Sequence, residues 1–141
     1  MRTPILRAVC ALILAAAAAP GAPLAQQAPD GIARQLLARE ALPNVPGHVL
    51  TAATVRLPPG KVAAPHRHEA FVFVYLLRGN VRSQLDGEAP VDYAAGDSWI
   101  EPPHALHSLT QNLSESEAAE LLVVFISRDK DRLTTSGPIA Q

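Results

Sequence analysis

The chain has 141 residues, 48% of them hydrophobic and 18% charged, with 12 basic against 13 acidic side chains. That length suits one domain with a sizeable core. The near-balance of charge, with no basic stripe and no basic–aromatic interleaving, excludes nucleic acid as an expected partner.

In chain order, Arg2 and Arg7 precede a twelve-residue apolar run at 8–19, then a small, proline-broken stretch at 20–25. A membrane span needs about 20 apolar residues. Residues 1–25 therefore read as a signal peptide cleaved after Ala25, and the protein as bacterial and periplasmic or secreted. Pro23 at the −3 position is an imperfect fit, and an uncleaved N-terminal anchor is the alternative. The single cysteine, Cys10, falls inside the run, so the remainder has neither disulfides nor thiolate ligands. Without Arg2 and Arg7, ten basic side chains face thirteen acidic ones, a net charge of −3.

Residues 26–47 read as a polar tail followed by a short helix. Asp30 is placed to cap it, and Ile32, Leu36 and Leu37 form one apolar edge up to Glu40. Pro43, Pro46 and Gly47 end that segment. Residues 48–127 read as β structure. Strands are expected at 49–57, 71–77, 81–85, 91–93, 98–101, 107–111 and 121–127, with a hairpin turn at Asp86-Gly87. Short strands separated by turns at this density predict an all-β barrel or sandwich. Residues 128–141 read as a polar tail that frays.

Three histidines carry the chemistry. His66 and His68 are two apart, so on an extended strand they face one side together. His107 follows after a proline-led turn. Imidazoles converging on one point suit zinc, iron, manganese, nickel or copper. Three neutral ligands also leave open positions for a substrate.

The flanking residues resemble the two-motif signature of the cupin superfamily. Gly60, His66, His68 and Gly79 match a first motif of the form G-x5-H-x-H-x3-4-E-x6-G; Gly96, Pro102 and His107 match the second, G-x5-P-x-G-x2-H-x3-N. The resemblance covers about residues 48–127. It implies a single double-stranded β-helix barrel of the RmlC-like jelly-roll type, a metal held by His66, His68 and His107, and a tendency to form homodimers. Phe71, Phe73 and Tyr75 share one face of a strand, which would suit such a dimer face if it is the outer one; the reverse assignment turns it into the barrel.

Three positions depart from the pattern. Val72 or Phe73 stands where the first motif has its glutamate ligand, His104 replaces the second motif's glycine, and Asn112 comes later than its asparagine. With no carboxylate, the metal would keep a higher net charge. That tilts the expected chemistry toward hydrolysis or a lyase reaction and away from oxygen activation.

Candidates for proton transfer are His104, Glu101 and Tyr75. Each has a plainer reading: His104 as a turn residue, Glu101 as an exposed charge, Tyr75 as packing. Glu101 could also accept a hydrogen bond from a ligating imidazole. Glu69 is out of phase with the histidine pair and reads as surface, His48 as a loop residue, and Trp99 as core. The Asn112-Leu-Ser114 glycosylation pattern reads as chance. No nucleophile elbow, phosphate loop or dinucleotide fingerprint is present. The expected function is a metal-dependent enzyme (dioxygenase, lyase or hydrolase) acting on a small organic molecule. The alternatives are a non-catalytic periplasmic binding module and a purely structural barrel.

Overall fold

The computed structural model describes residues 26–27 and 29–137, so the expected leader and Cys10 lie outside the described residues. All regular structure there is β: β1 (Gln26–Gln27), β2 (Ala33–Ala41), β3 (His48–Leu57), β4 (Val62–Ala63), β5 (His66–Arg67), β6 (Phe71–Arg78), β7 (Asn80–Leu85), β8 (Val91–Ala94), β9 (Ser98–Glu101), β10 (Leu106–Asn112), β11 (Ala119–Arg128) and β12 (Thr135–Ser136). One sheet runs β1-β2-β3-β11-β6-β9. The other runs β12-β5-β10-β7-β8, with β4 also paired to β10.

Alternation decides what the sheets enclose. On β6, Val72, Val74 and Leu76 are buried while Phe71, Tyr75 and Leu77 are exposed. On β11, Ala119, Leu121, Val123 and Phe125 point the same way as the buried set of β6. Burying each valine or leucine contributes roughly 1.5–3 kcal/mol. The first sheet is thus pinned to one register, because a one-residue slip would expose its whole apolar face. Gly79 joins β6 to β7 at φ 89°, with a would-be Cβ only 3.0 Å from the Ala119 Cα, so any side chain there is strained and crowded.

The strands expected between 48 and 127 form within a residue or two of their expected ends. Two other segments do not follow expectation. The helix expected from Asp30 to Glu40 is strand β2, paired antiparallel to β3 with a register shift between Leu36 and Ala38. Its residues favour helix on propensity, but the open edge of β3 offers a complete ladder, and tertiary pairing overrides propensity. Asp30 makes a turn instead of a cap. Its Oδ1 accepts from the Ile32 amide at 2.9 Å, and its carboxylate pairs with Arg34.

The tail expected to fray from Arg128 also folds back. Thr135 and Ser136 pair with Arg67 and His66, and the Gly137 amide donates to the Pro65 carbonyl at 2.9 Å. This return places the C-terminal segment against the histidine pair.

Candidate metal centre

His66 lies on β5 directly opposite His107 on β10, and His68 follows just beyond the two-residue strand. Ring centroids are 4.8 Å apart for His66–His68 and 5.1 Å for His66–His107. One nitrogen from each of the three imidazoles lies within 4.8 Å of the others, with His68 and His107 buried and His66 partly so. The three histidines are therefore positioned to hold a metal ion.

Hydrogen bonds fix which nitrogens are available. A carbonyl only accepts, so His66 Nδ1–H donates to the Ala64 carbonyl at 2.8 Å, and His68 Nδ1–H donates to the Leu133 carbonyl. Both rings then carry their lone pair on Nε2, the tautomer a metal requires. His107 Nε2 meets the hydroxyls of Ser83 at 2.8 Å and Thr110 at 2.9 Å, which leaves Nδ1 as the inward atom.

Glu101 is the residue that sequence reasoning misplaced. It is 3% exposed rather than a surface charge, and it sits against the imidazoles of His68 and His107. Its Oε1 lies 3.0 Å from His107 Nδ1 and accepts from the Trp99 indole N–H at 3.0 Å. Its Oε2 lies 3.3 Å from His68 Nε2 and has no hydrogen-bond partner. With the His68 proton committed to Leu133, two lone pairs face each other there. A buried contact of that kind calls for a positive centre between them. The residues present therefore fit a divalent transition metal.

A signal for this placement was available. Trp99 and Glu101 are two apart on β9, so a Trp99 read as core puts Glu101 on the inner face as well. A carboxylate that the first motif lacks at position 72 is thus placed beside His68 and His107 from β9.

The site's electrostatics follow from burial and crowding. Burial lowers the His66 pKa from the ordinary histidine value, and the nearby His107 and His68 imidazoles add to this against the Ala64 carbonyl and Glu101. For Glu101, burial pushes upward, but the hydrogen bond and charge of His107, the Trp99 bond and His68 together hold the carboxyl below its usual range.

The cluster opens into a cavity of about 550 Å³ between the sheets, within the range of small-molecule sites. Its walls include Val55, Leu57, Val74, Leu121, Val123 and Phe125, with the Asp30–Arg34 pair also on the lining. Leu133, Thr134, Thr135 and Ser136 complete one side, a contribution from the tail that its polar sequence did not signal.

The other candidates lie elsewhere. Tyr75 is 37% exposed on the outer face of β6, away from the cavity lining. His104 is exposed and adopts φ 66°. Its amide donates to the His68 carbonyl at 2.7 Å and its carbonyl accepts from Arg67. The turn thus keeps the left-handed conformation that explains glycine in the motif, and histidine tolerates it at some strain. With His48 and Glu69 it lines an outer groove, and Glu69 accepts from the Arg132 amide.

Asn112 is fully buried. Its Nδ2 donates to the carbonyls of Leu57, Pro58 and Glu117, which closes it to glycosylation and makes it a pin at the end of β10.

Solved structures share this architecture. KdgF from Halomonas sp. matches with a TM-score of 0.59 and 27% identity, over 74% of this chain and 87% of that one. The DMSP lyase DddQ from Ruegeria pomeroyi matches with a TM-score of 0.56 and 22% identity, over 65% of this chain; the present chain spans only 45% of that protein. An oxalate decarboxylase variant from Bacillus subtilis matches with a TM-score of 0.54 and 29% identity, over 62% of this chain and 24% of that one. No curated protein sequence matches. The "Cupin domain" family description matches residues 53–125, a span that holds all three histidines, Glu101, core strand β6 and most of β11. The chain belongs to the cupin domain family, as a small all-β member of the RmlC-like cupin fold.

Proposed function

We propose that this is an exported cupin-domain protein that holds a divalent transition metal on His66, His68 and His107 and binds, or acts on, a small organic molecule in the adjoining cavity. The observation that carries this reading is the convergence of three imidazole nitrogens within 4.8 Å on the wall of a cavity of small-molecule size. Once bound, such an ion supplies Lewis acidity toward a substrate oxygen. The chain's own residues set the rest. The carbonyls of Ala64 and Leu133 fix the tautomers of His66 and His68, Trp99 orients Glu101, and Val55, Leu57, Val123 and Phe125 give the cavity apolar contact surface. The likeness to an oxalate decarboxylase supports chemistry on small carboxylates, within the wider choice of dioxygenase, lyase or hydrolase.

Export is supported by the basic start and twelve-residue apolar run of the leader. A homodimer is supported by the exposed apolar face that Phe71, Tyr75, Leu77, Ile100 and Ile126 make on the first sheet.

A second reading, a non-catalytic small-ligand or metal-binding module, draws support from the placement of His104 and Tyr75. Both lie off the cavity, which leaves Glu101 as the one proton-transfer candidate of the three on its lining. The test is elemental analysis of protein purified from its native compartment, beside His66→Ala, His68→Ala. Near-stoichiometric metal that disappears in the double variant is the expected result. Metal-free wild type that also refuses added ions would sink the metal reading. With metal established, turnover across a panel of small carboxylates selects the enzyme. Tight ligand binding without turnover selects the module.

A further inference from the structure

We infer that Glu101 is itself a ligand of this metal, the carboxylate of the first motif having moved from position 72 to the neighbouring strand. The inference rests on the metal-binding reading above.

Register places the two positions together. Val72 on β6 and Glu101 on β9 are direct cross-strand partners, both buried, at 0% and 3% exposure. Directly opposed residues of an antiparallel pair have Cβ atoms about 4.5–5.5 Å apart. A carboxylate rising from 101 therefore reaches the space that one rising from 72 would reach.

The nitrogens it touches separate a ligand from a supporting group. A carboxylate that orients an imidazole from behind sits on the nitrogen turned away from the metal. All three such nitrogens are already engaged: His66 Nδ1 by Ala64, His68 Nδ1 by Leu133, and His107 Nε2 by Ser83 and Thr110. Glu101 instead faces the two inward nitrogens, His107 Nδ1 at 3.0 Å and His68 Nε2 at 3.3 Å. It lies on the inward side of those two imidazoles. Trp99 occupies Oε1 and sets the side chain's direction, so Oε2, buried and partnerless, is the donor atom. The complete set is three neutral imidazoles and one carboxylate, which lowers the net charge on a divalent ion from +2 to +1. The site thereby regains the donor chemistry its first motif lacks.

The test uses Co(II) alone as the probe, with visible absorption and a competing chelator, on metal-free wild type, Glu101→Gln, and Val72→Glu combined with Glu101→Gln. The expected result is an altered ligand-field spectrum and an affinity loss above about 100-fold in Glu101→Gln, beyond the usual range for an outer-sphere group. The combined variant is expected to recover most of both. A spectrum that Glu101→Gln leaves unchanged overturns the assignment whatever happens to affinity, while the three-histidine site stands. Wild type that takes up no Co(II) removes the metal reading and this inference with it.

Should Glu101→Gln not fold, wild type carrying carboxylate-labelled glutamate decides the matter by infrared difference spectroscopy. Zn(II) loading is expected to shift the stretches of a glutamate carboxylate, and an absent shift overturns the inference.

Discussion

The two halves of the site are built differently. His107 and Glu101 project from β10 and β9, strands whose ladders hold them directly. Their side-chain partners, Ser83, Thr110 and Trp99, come from within 24 residues in sequence. His66 and His68 belong to a segment with only two residues of strand. That segment is held by β10 on one side and by β12 on the other, and the proton of His68 is fixed by a carbonyl 65 residues away. One half is thus a product of sheet register, the other of a long-range closure by the end of the chain. The sheet half should be costly to break and indifferent to the tail. The closure half should yield to changes far from it.

The largest expected effect is the contrast between His107→Ala and His66→Ala in the metal-free protein. Removing His107 strips a buried carboxylate of one of its two partners at 3.0 Å, which costs about 3 kcal/mol by the measure of broken buried pairs. Removing half-buried His66 is expected to cost under about 1 kcal/mol, since its ring bonds only to a carbonyl near the surface. Urea midpoints of the two variants check this, and equal costs would erase the distinction.

Next is deletion of residues 133–141. It removes the Leu133 carbonyl and β12 while leaving β9 and β10 intact. Metal affinity is expected to fall about 10–100-fold, as for lost outer-sphere support. Isothermal titration with Zn(II) reads the change, and an unaltered affinity would show that the closure is ornamental.

Acid should act on both halves with one sign. His66, held neutral by burial, has a folded pKa below its unfolded value near 6.5, so the unfolded chain takes up the proton first. Its stabilising contribution is present above that pH and is lost as pH falls through the folded value. Glu101, held below its ordinary 4.5, behaves likewise at lower pH: its contribution is present above that value and lost as the carboxylate protonates in the fold. The metal-free protein is therefore expected to lose stability in two stages below about pH 6.5, the first absent in His66→Ala. Denaturant midpoints between pH 8 and 4 provide the check.

The smallest effect is a gain. His104→Gly relieves a left-handed residue at φ 66° and is expected to stabilise by about 0.5–1 kcal/mol, net of glycine's greater unfolded freedom. Metal affinity should stay constant, because His104 meets the site only through its backbone; a calorimetric melt and one titration suffice.

Several of these features are legible in the residues alone. Strand-forming residues and turn residues mark β3 and the strands from β6 to β11, because both signals are local: side chains alternate about one residue, and Gly79 or Asp86-Gly87 turns the chain within two or three. The same alternation puts His66 and His68 on one side, and Phe71 and Tyr75 together on one face of β6. Glu101 is half legible, through its phase with Trp99, yet a charge beside two prolines reads as surface until its neighbours are known.

By itself, then, the sequence determined that the chain is a small β-barrel with three histidines in ligand spacing and no carboxylate at position 72. Tertiary structure decided that residues 33–41 complete a sheet edge, that the polar tail seals the His68 side, and that the carboxylate arrives from β9. It also decided that His104 and Tyr75 stand outside the cavity. The physical reason is range. Periodicity fixes which residues share a face, but which face is inside, and which distant strand lies opposite it, depend on pairings between residues tens of positions apart.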